Sequence, residues 1–219
     1  MSPRTEASVP DIDVANLWRS PDSCVWEHAL DRYWDFVLPR NLALERAMDA
    51  LDLGSLRRLD AAAWYAFLKD EYFRWKYTAA NRYATTTSQL ISFAKTNQDA
   101  LYRIKERLLA LDQEDIAHAL ATARKIPGLG TAGASGLLAL MYPKSFATVD
   151  QFVVKALRQV RDLPEAAALA RMNPEGLTDT DGVLVITLLR RKAQDNNVAF
   201  GSDAWTPRKI DKILWTYGR

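Results

Sequence analysis

Apolar residues recur at intervals of three and four along nearly the whole chain. In WEHALDRYWDFVL, the residues Trp26, Leu30, Tyr33, Trp34 and Val37 have this spacing and therefore share one face of a helix. We find no alternating strand pairs, no internal repeat and no low-complexity segment. The spacing predicts an all-α protein.

Residues with known preferences for helix ends predict several boundaries. Asp22 or Ser23 can cap the helix just described, and the segment around Asp112 divides ALYRIKERLLALDQEDIAHALATARKI into two helices. Thr206 fits an N-cap and Pro207 the first position of a last helix, TPRKIDKILWTYGR. In GVLVITLLRRKAQ the β-branched residues favour a strand, but the length of the stretch favours a buried helix.

Length and charge set limits on the class of protein. The chain has 219 residues, of which 48% are hydrophobic, so we expect one domain with a large core or one domain in two lobes. Lys and Arg number 29 and Asp and Glu 27, for a net charge of +2. This balance permits a nucleic-acid partner only if basic residues cluster locally.

Metal-binding and targeting signals are sparse. Cys24 is the only cysteine, which excludes an intrachain disulfide, a four-cysteine zinc site and a cysteine-ligated iron–sulfur cluster. The two histidines, His28 and His118, are more simply read as helix residues than as metal ligands. No apolar run approaches the length of a membrane span, and MSPRTEASVPDID lacks a signal core. We expect a soluble cytoplasmic protein with no membrane partner and with a loose tail over residues 1–12.

The segment KIPGLGTAGASGLLAL predicts two helices joined by a tight turn. The first helix ends near Lys125, Pro127 prevents its continuation, Gly128 and Gly130 permit positive φ, and the next helix begins around Thr131. Small residues follow, so free backbone N–H groups at this helix start can face an anion such as a DNA phosphate. A helix-to-helix turn without a ligand is the alternative interpretation.

A single carboxylate, Asp150, follows the apolar residues Phe146 and Val149. Aspartate is favoured at helix N-caps, and here it would cap a helix beginning near Gln151. Such a cap holds the side chain at a defined place, so a structural and a chemical role are compatible.

The stretch IPGLGTAGASGLLALMYPKSFATVDQFVVKALRQV resembles the helix-hairpin-helix DNA glycosylase superfamily. A hydrophobic-Pro-Gly-hydrophobic-Gly hairpin, a helix of small and apolar residues and a Val-Asp pair coincide over about 35 residues. Asp150 stands 22 residues after Gly128 (150 − 128), which is the family's spacing. The resemblance implies that Asp150 is the catalytic carboxylate, which stabilises the oxocarbenium-like sugar or activates the attacking water.

The same resemblance implies an all-α, two-lobed fold with its active site in the cleft between the lobes. Residues 60–145 would form the hairpin lobe, and residues 13–59 and 146–219 the second lobe. The implied partner is double-stranded DNA, bound by a monomer. The implied DNA-backbone contacts are Gly128, Leu129, Gly130, Thr131, Lys125 and Lys144.

The chain departs from the family pattern at one informative position. Bifunctional relatives carry a lysine two residues after the second hairpin glycine, and that amine forms a Schiff base with the sugar. Here the position holds Ala132, while Lys125 and Lys144 are nearby only in sequence. The resemblance therefore implies a monofunctional enzyme that releases the base with water and leaves an abasic site. It implies no cofactor, except for a monovalent cation that hairpin carbonyls hold in the family.

Upstream, DEYFRWKYTAANRYATTTSQL interleaves basic and aromatic residues. Aromatic rings can stack on an extruded base while basic groups hold phosphates. Each aromatic residue has core packing on a helix face as its alternative. Together with WTPRKIDKILWTYGR, the stretch looks similar to bacterial proteins described as having an 8-oxoguanine-glycosylase-like fold. The candidate contacts to the base or to DNA are Arg74, Trp75, Lys76, Tyr77, Asn81, Arg82 and Gln151.

The sequence leaves the excised base open. An oxidised purine, a deaminated or mismatched pyrimidine, and a hypermodified phage-type cytosine all stay candidates, and the last would make this a defence enzyme. A non-catalytic helix-hairpin-helix module that binds DNA is the rival interpretation. An α-helical protein-interaction domain without DNA affinity is the third.

Overall fold

The computed structural model describes residues 12–219, and the part of the chain so described is helical, without strands. Of the tail predicted over residues 1–12, all but Ile12 lies outside the described residues. A 3-10 turn at Pro39–Asn41 and a π-helical segment at Phe67–Tyr72 join the α-helices. The α-helices are α1 (Val14–Arg19), α2 (Ser23–Asp35), α3 (Leu42–Asp49), α4 (Leu53–Arg58), α5 (Ala61–Ala66), α6 (Phe73–Lys76), α7 (Ala80–Leu109), α8 (Ile116–Ala123), α9 (Thr131–Met141), α10 (Gln151–Leu157), α11 (Ala166–Arg171), α12 (Asp179–Phe200) and α13 (Pro207–Tyr217).

The predicted helix boundaries are confirmed. Asp22 caps α2 by accepting a hydrogen bond from the Cys24 amide, and Thr206 caps α13 with Pro207 at its first position. The break near Asp112 separates α7 from α8. The stretch GVLVITLLRRKAQ lies inside the 22-residue helix α12, so its length outweighs its β-branched residues.

The core brings the first and last parts of the chain together. Helix α13 packs against α2, α10 and α12, while α5, α7, α8 and α9 pack in sequence against one another. Helix α12 also contacts α8 and α9 and so links the two groups. Fully buried aromatic side chains, among them Trp26, Trp64 and Phe146, fill the interior. Among residues 12–219, no helix combines the length and the apolar character needed to cross a bilayer.

The chain from α5 to α6 is one continuous helix with a π-helical middle. This segment buries Phe67, Leu68, Tyr72 and Phe73. After these residues come Arg74, Trp75 and Lys76 at the end of α6, and then Tyr77. The buried side chains therefore anchor the short helix from which the candidate base contacts project.

Candidate active site

A cleft of about 740 Å³ opens between the ends of several helices. It receives residues from α2 and α3, from the end of α6, from the starts of α9 and α10, and from α13. Its lining contains one aspartate at the start of α10 and the first residues of the hairpin helix α9. The sequence-predicted residues in this lining are Arg74, Trp75, Lys76, Tyr77, Arg82, Gly130, Thr131, Asp150 and Gln151.

Asp150 caps helix α10, as its sequence context predicts. Its backbone is extended, and its Oδ1 accepts hydrogen bonds from the amides of Phe152 (3.0 Å) and Val153 (3.2 Å). Within the described chain, Oδ2 has no hydrogen-bond donor. The cap thus uses one carboxylate oxygen and leaves the other without a hydrogen bond in the described part of the chain.

The extended segment before Asp150 is held by two different helices. The amide of Val149 donates to the Ser135 hydroxyl on α9 at 2.9 Å. The amide of Thr148 donates to Asp211 Oδ2 on α13 at 2.5 Å. Ser135, Val149 and Asp211 are all buried, so water does not compete for these bonds. Hydrogen bonds from the two preceding residues to α9 and α13 consequently fix the position of Asp150 relative to both helices.

The hairpin needs glycine at one of its two glycine positions. Gly128 has φ +91°, and a Cβ there would collide with the Thr86 carbonyl oxygen and lie 3.0 Å from Phe73 Cε1. Gly130 has φ −83° and ψ −173°. A Cβ added there would have no heavy atom within 4 Å. The expectation of positive φ at Gly130 is therefore wrong, because the residue is the extended N-cap of α9.

Two tyrosines, one in the π-helical segment and one directly after α6, bind the hairpin. The Tyr77 hydroxyl donates to the Gly128 carbonyl at 2.9 Å, and the Tyr72 hydroxyl donates to the Gly133 carbonyl. Burial raises the pKa of Tyr77 to about 12, so the hydroxyl keeps its proton at neutral pH. A Cβ at Gly133 would lie 2.5 Å from Tyr77 Oη. Small residues in α9 therefore also serve to admit these rings.

Helix α9 begins without a side-chain cap. Within the described residues, the amides of Thr131, Ala132 and Gly133 have no acceptor, and Ala134 is the first to bond within the helix, to the Gly130 carbonyl. Three N–H groups are thus free to meet an anion. The Thr131 hydroxyl is not free, because it donates to Asp179 Oδ1 at 2.8 Å.

Asp179 places a negative charge beside this helix start. Its other oxygen pairs with Arg124 at 2.6 Å, so the guanidinium offsets the carboxylate charge that would otherwise oppose a phosphate. The backbone amides, rather than the Thr131 side chain, are the groups that can bind an anion here.

Glu45 organises the aromatic wall of the cleft. It is buried, and it accepts hydrogen bonds from the Tyr33 hydroxyl at 2.5 Å and from Trp75 Nε1 at 2.6 Å. The Arg208 guanidinium lies 3.6 Å from the same carboxylate and 5.5 Å from the centre of the Trp75 ring. Glu45 thereby holds the Trp75 indole in a fixed orientation at the cleft.

A second buried ion pair lies on α13. Arg208 Nη1 bonds Asp211 Oδ1 at 2.6 Å and the Thr148 hydroxyl at 3.2 Å. Burial raises the pKa of the Asp211 carboxyl to about 6, although Arg208 and the Thr148 amide oppose that rise. Arg208 Nε and Nη2 have no hydrogen-bond acceptor in the described part of the chain.

The remaining sequence-predicted residues are placed elsewhere. Asn81 is exposed and accepts a hydrogen bond from the Arg82 amide, and Leu129 is buried in the core. Lys125 is exposed beyond the end of α8, outside the cleft lining. Lys144 lines a separate cavity of about 440 Å³. Neither lysine that flanks the hairpin in sequence reaches the cleft.

The polar residues of the cleft that were not foreseen from the sequence include Tyr33, Glu45, Arg208 and Asp211. The sequence contains only a partial indication that these residues belong to the cleft. Arg208 and Asp211 are three residues apart and so share a face of the amphipathic helix α13, but that spacing is typical of solvated charges. Only the packing of α13 shows that this face is buried.

Metal ligands could come from side chains or from the hairpin carbonyls. Within residues 12–219, no group of three or more His, Cys, Asp or Glu side chains could hold a metal ion. Of the hairpin carbonyls, that of Gly128 accepts the Tyr77 hydroxyl and that of Ile126 accepts the Leu129 amide.

Comparison of the chain with models of protein families, with curated proteins and with solved structures gave no significant match.

Proposed function

We propose that this protein is a DNA glycosylase that excises a damaged or modified base and leaves an abasic site. The observation that carries the proposal is that Asp150 and the start of α9 line one cleft. A phosphate bound at the α9 amides would bring its sugar into the same cleft as the carboxylate.

In this proposal the hairpin holds the DNA backbone. The free amides of Thr131, Ala132 and Gly133 bind a phosphate, and the glycine N-cap at Gly130 leaves the approach unobstructed. Exposed arginines among the cleft-lining residues, Arg74 and Arg82, add positive charge where the duplex would lie.

The base would be extruded into the cleft against aromatic side chains. Trp75, oriented by Glu45, offers a ring for stacking, and Gln151 offers an amide for hydrogen bonds to the base. The free Oδ2 of Asp150 then stabilises positive charge on the sugar or activates the attacking water. Because position 132 carries a methyl group, α9 itself supplies no amine, and we propose water as the group that displaces the base.

We propose that the chain forms the two lobes that the resemblance implies, and the grouping of helix contacts supports that proposal. Residues 60–145 contribute Trp75, Lys76 and Ala132 to the cleft, whereas the segments before and after contribute Glu45 and Asp150. The helices within each group pack mainly among themselves, and α12 joins the groups. We propose that the cleft lies between these two lobes and that duplex DNA is the partner.

The test is base release from a panel of duplexes that each contain one modified base. The panel includes an oxidised purine, a deaminated pyrimidine in a mismatch and a hypermodified cytosine. Strand breaks after alkali report abasic sites, and Asp150→Asn is the control. We expect one duplex to give alkali-labile sites with the wild type and none with the variant. Equal release by both proteins would exclude Asp150. Salt-dependent duplex binding without release from any member would favour the non-catalytic DNA-binding module.

A further inference from the structure

One lysine of the cleft is not explained by base excision. Lys76, at the C-terminal end of α6, lines the cleft together with Asp150 and Ala132, whereas Lys125 and Lys144 do not. Within the described residues, its amino group has neither a hydrogen-bond partner nor an ion pair. Its only described polar contact is with the Trp75 ring, whose centre lies 5.8 Å away.

The side chain of Lys76 lies along helix α9. A Cβ at Gly136 would be 3.3 Å from Lys76 Cδ and 3.4 Å from Cε, so the alkyl chain packs on the bare backbone there. Ala132 precedes Gly136 by four residues and therefore shares its face of α9, about 6 Å along the axis. Position 132 has no amine, but Lys76 extends from α6 onto the same face of α9.

The surroundings of this amine favour its neutral form. Desolvation by burial lowers the pKa of Lys76, and the positive charge of Arg208 acts in the same direction. The carboxylates of Asp150, Asp211 and Glu45 oppose the shift but do not cancel it. A lysine with a lowered pKa holds more of the unprotonated amine, which is the nucleophilic form.

We propose that Lys76 condenses with the aldehyde of an abasic site in the cleft to form a Schiff base. This activity goes beyond base excision and rests on the proposed function only in requiring that the cleft admit a DNA sugar. The amine of Lys76 adds to C1′ of the ring-opened sugar, and loss of water leaves a carbon–nitrogen double bond. The two hydrogens of the amine and the aldehyde oxygen leave together as that water.

The Schiff base has a chemical consequence for the DNA strand. Protonation of its nitrogen makes the hydrogens on C2′ acidic. Removal of one of them by a base such as Asp150 forms a C2′–C3′ double bond, while the C3′–O bond breaks and the phosphate leaves with the electron pair. Water then hydrolyses the conjugated imine, which regenerates Lys76 and releases an unsaturated aldehyde. Strand cleavage would follow base release as a separate, slower step.

Borohydride trapping on a preformed abasic duplex tests this inference without any base excision. The full-length wild type is incubated with the duplex and borohydride, and the adduct is mapped by peptide mass spectrometry. Lys76→Arg and Lys76→Met are compared with Lys95→Arg, because Lys95 is exposed and lies outside both the cleft and the implied DNA contacts. A duplex with a tetrahydrofuran analogue, which has no aldehyde, measures binding alone. Circular dichroism checks the fold of each variant.

We expect the adduct on Lys76, loss of trapping in both Lys76 variants and wild-type trapping in the Lys95→Arg control. An adduct on another amine, or undiminished trapping in Lys76→Arg, would overturn the inference. Absence of trapping despite normal binding of the tetrahydrofuran duplex would overturn it while leaving the proposed glycosylase intact. Absence of binding to either duplex would remove both. Because mapping uses the wild type, the result stands even where a variant does not fold.

Discussion

The buried amide of Val149 donates a hydrogen bond to the buried hydroxyl of Ser135 at 2.9 Å. This bond ties the residue before the candidate catalytic carboxylate to the middle of the hairpin helix. It therefore couples the two parts of the proposed active site, the phosphate-binding helix start and Asp150.

Replacing Ser135 with Ala should weaken both stability and base release. The Val149 amide would lose its acceptor in the protein interior, which costs roughly 1–3 kcal/mol. Urea unfolding measures this loss. Ser88→Ala is the matched control, because the exposed Ser88 hydroxyl bonds only within its own helix, to the Thr85 carbonyl. A Ser135→Ala protein as stable as Ser88→Ala would show that the bond does not hold the segment.

The two hairpin glycines should respond differently to substitution. Gly128→Ala forces a side chain onto the Thr86 carbonyl at positive φ, and we expect a loss of at least about 2 kcal/mol. Gly130→Ala meets no neighbouring atom and should cost no more than about 1 kcal/mol, the difference between glycine and alanine at an N-cap. Chemical denaturation of both variants checks the contrast, and equal losses would contradict it.

Gly130 also permits a test of DNA binding in a folded protein. Gly130→Val places a branched side chain at the N-cap of α9, in the approach to its free amides. We expect weaker, still salt-dependent duplex binding, measured by fluorescence anisotropy at fixed ionic strength. Circular dichroism must show a native spectrum. A well-folded Gly130→Val protein with normal affinity would refute the role of the hairpin in phosphate binding.

The two roles of Asp150 can be separated by two substitutions. Asp150→Ala removes the helix cap and should cost about 1 kcal/mol, whereas Asp150→Asn retains a capping oxygen and should cost less. Both should lose base release, because neither side chain carries the charge. If activity instead followed stability, with Asp150→Asn close to wild type, the residue would be a cap alone.

Removing one member of the buried ion pair should be strongly destabilising. Arg208→Leu leaves Asp211 and Glu45 as buried carboxylates without their cation, which typically costs about 3–5 kcal/mol. Arg74→Leu, an exposed arginine of the same cleft, should change stability by no more than about 0.5 kcal/mol. Urea unfolding of both variants measures the two changes in the free energy of unfolding. A small loss in Arg208→Leu would mean that water reaches these carboxylates.

The lowered pKa of Lys76 predicts a pH-dependent stability difference. A lysine that binds its proton more weakly in the folded than in the unfolded state destabilises the fold while it is charged. The cost is full below the folded-state pKa and disappears as the pH rises through that value towards the ordinary 10.5. Lys76→Met should therefore gain stability relative to wild type at about pH 7, and this gain should shrink by about pH 10. A gain that is constant with pH would show that the amine is solvated.

The helical character of the chain, most helix boundaries and the candidate carboxylate could be predicted from the sequence. Helix caps depend on neighbours in sequence, as those at Asp22, Asp150 and Thr206 do. Apolar spacing and the Pro-Gly turn also depend on nearby residues, so all three can be predicted from short stretches of sequence. The positive φ at Gly128 follows from the same local preferences. The pattern did not distinguish Gly130, because either backbone conformation is open to glycine and only the N-cap geometry of α9 selects the extended one.

The sequence by itself determined which segments become helices and which residues begin them, because those choices depend on side-chain propensity over a few positions. Only the tertiary structure decided which side chains meet. Glu45, Lys76, Asp150 and Arg208 are far apart in the chain. The packing of α3 on α6, and of α13 on α9 and α10, brings them to one cleft. Burial then changes the chemistry of these groups. Desolvation lowers the pKa of Lys76, and the charges of Asp150 and Arg208 act on it as well.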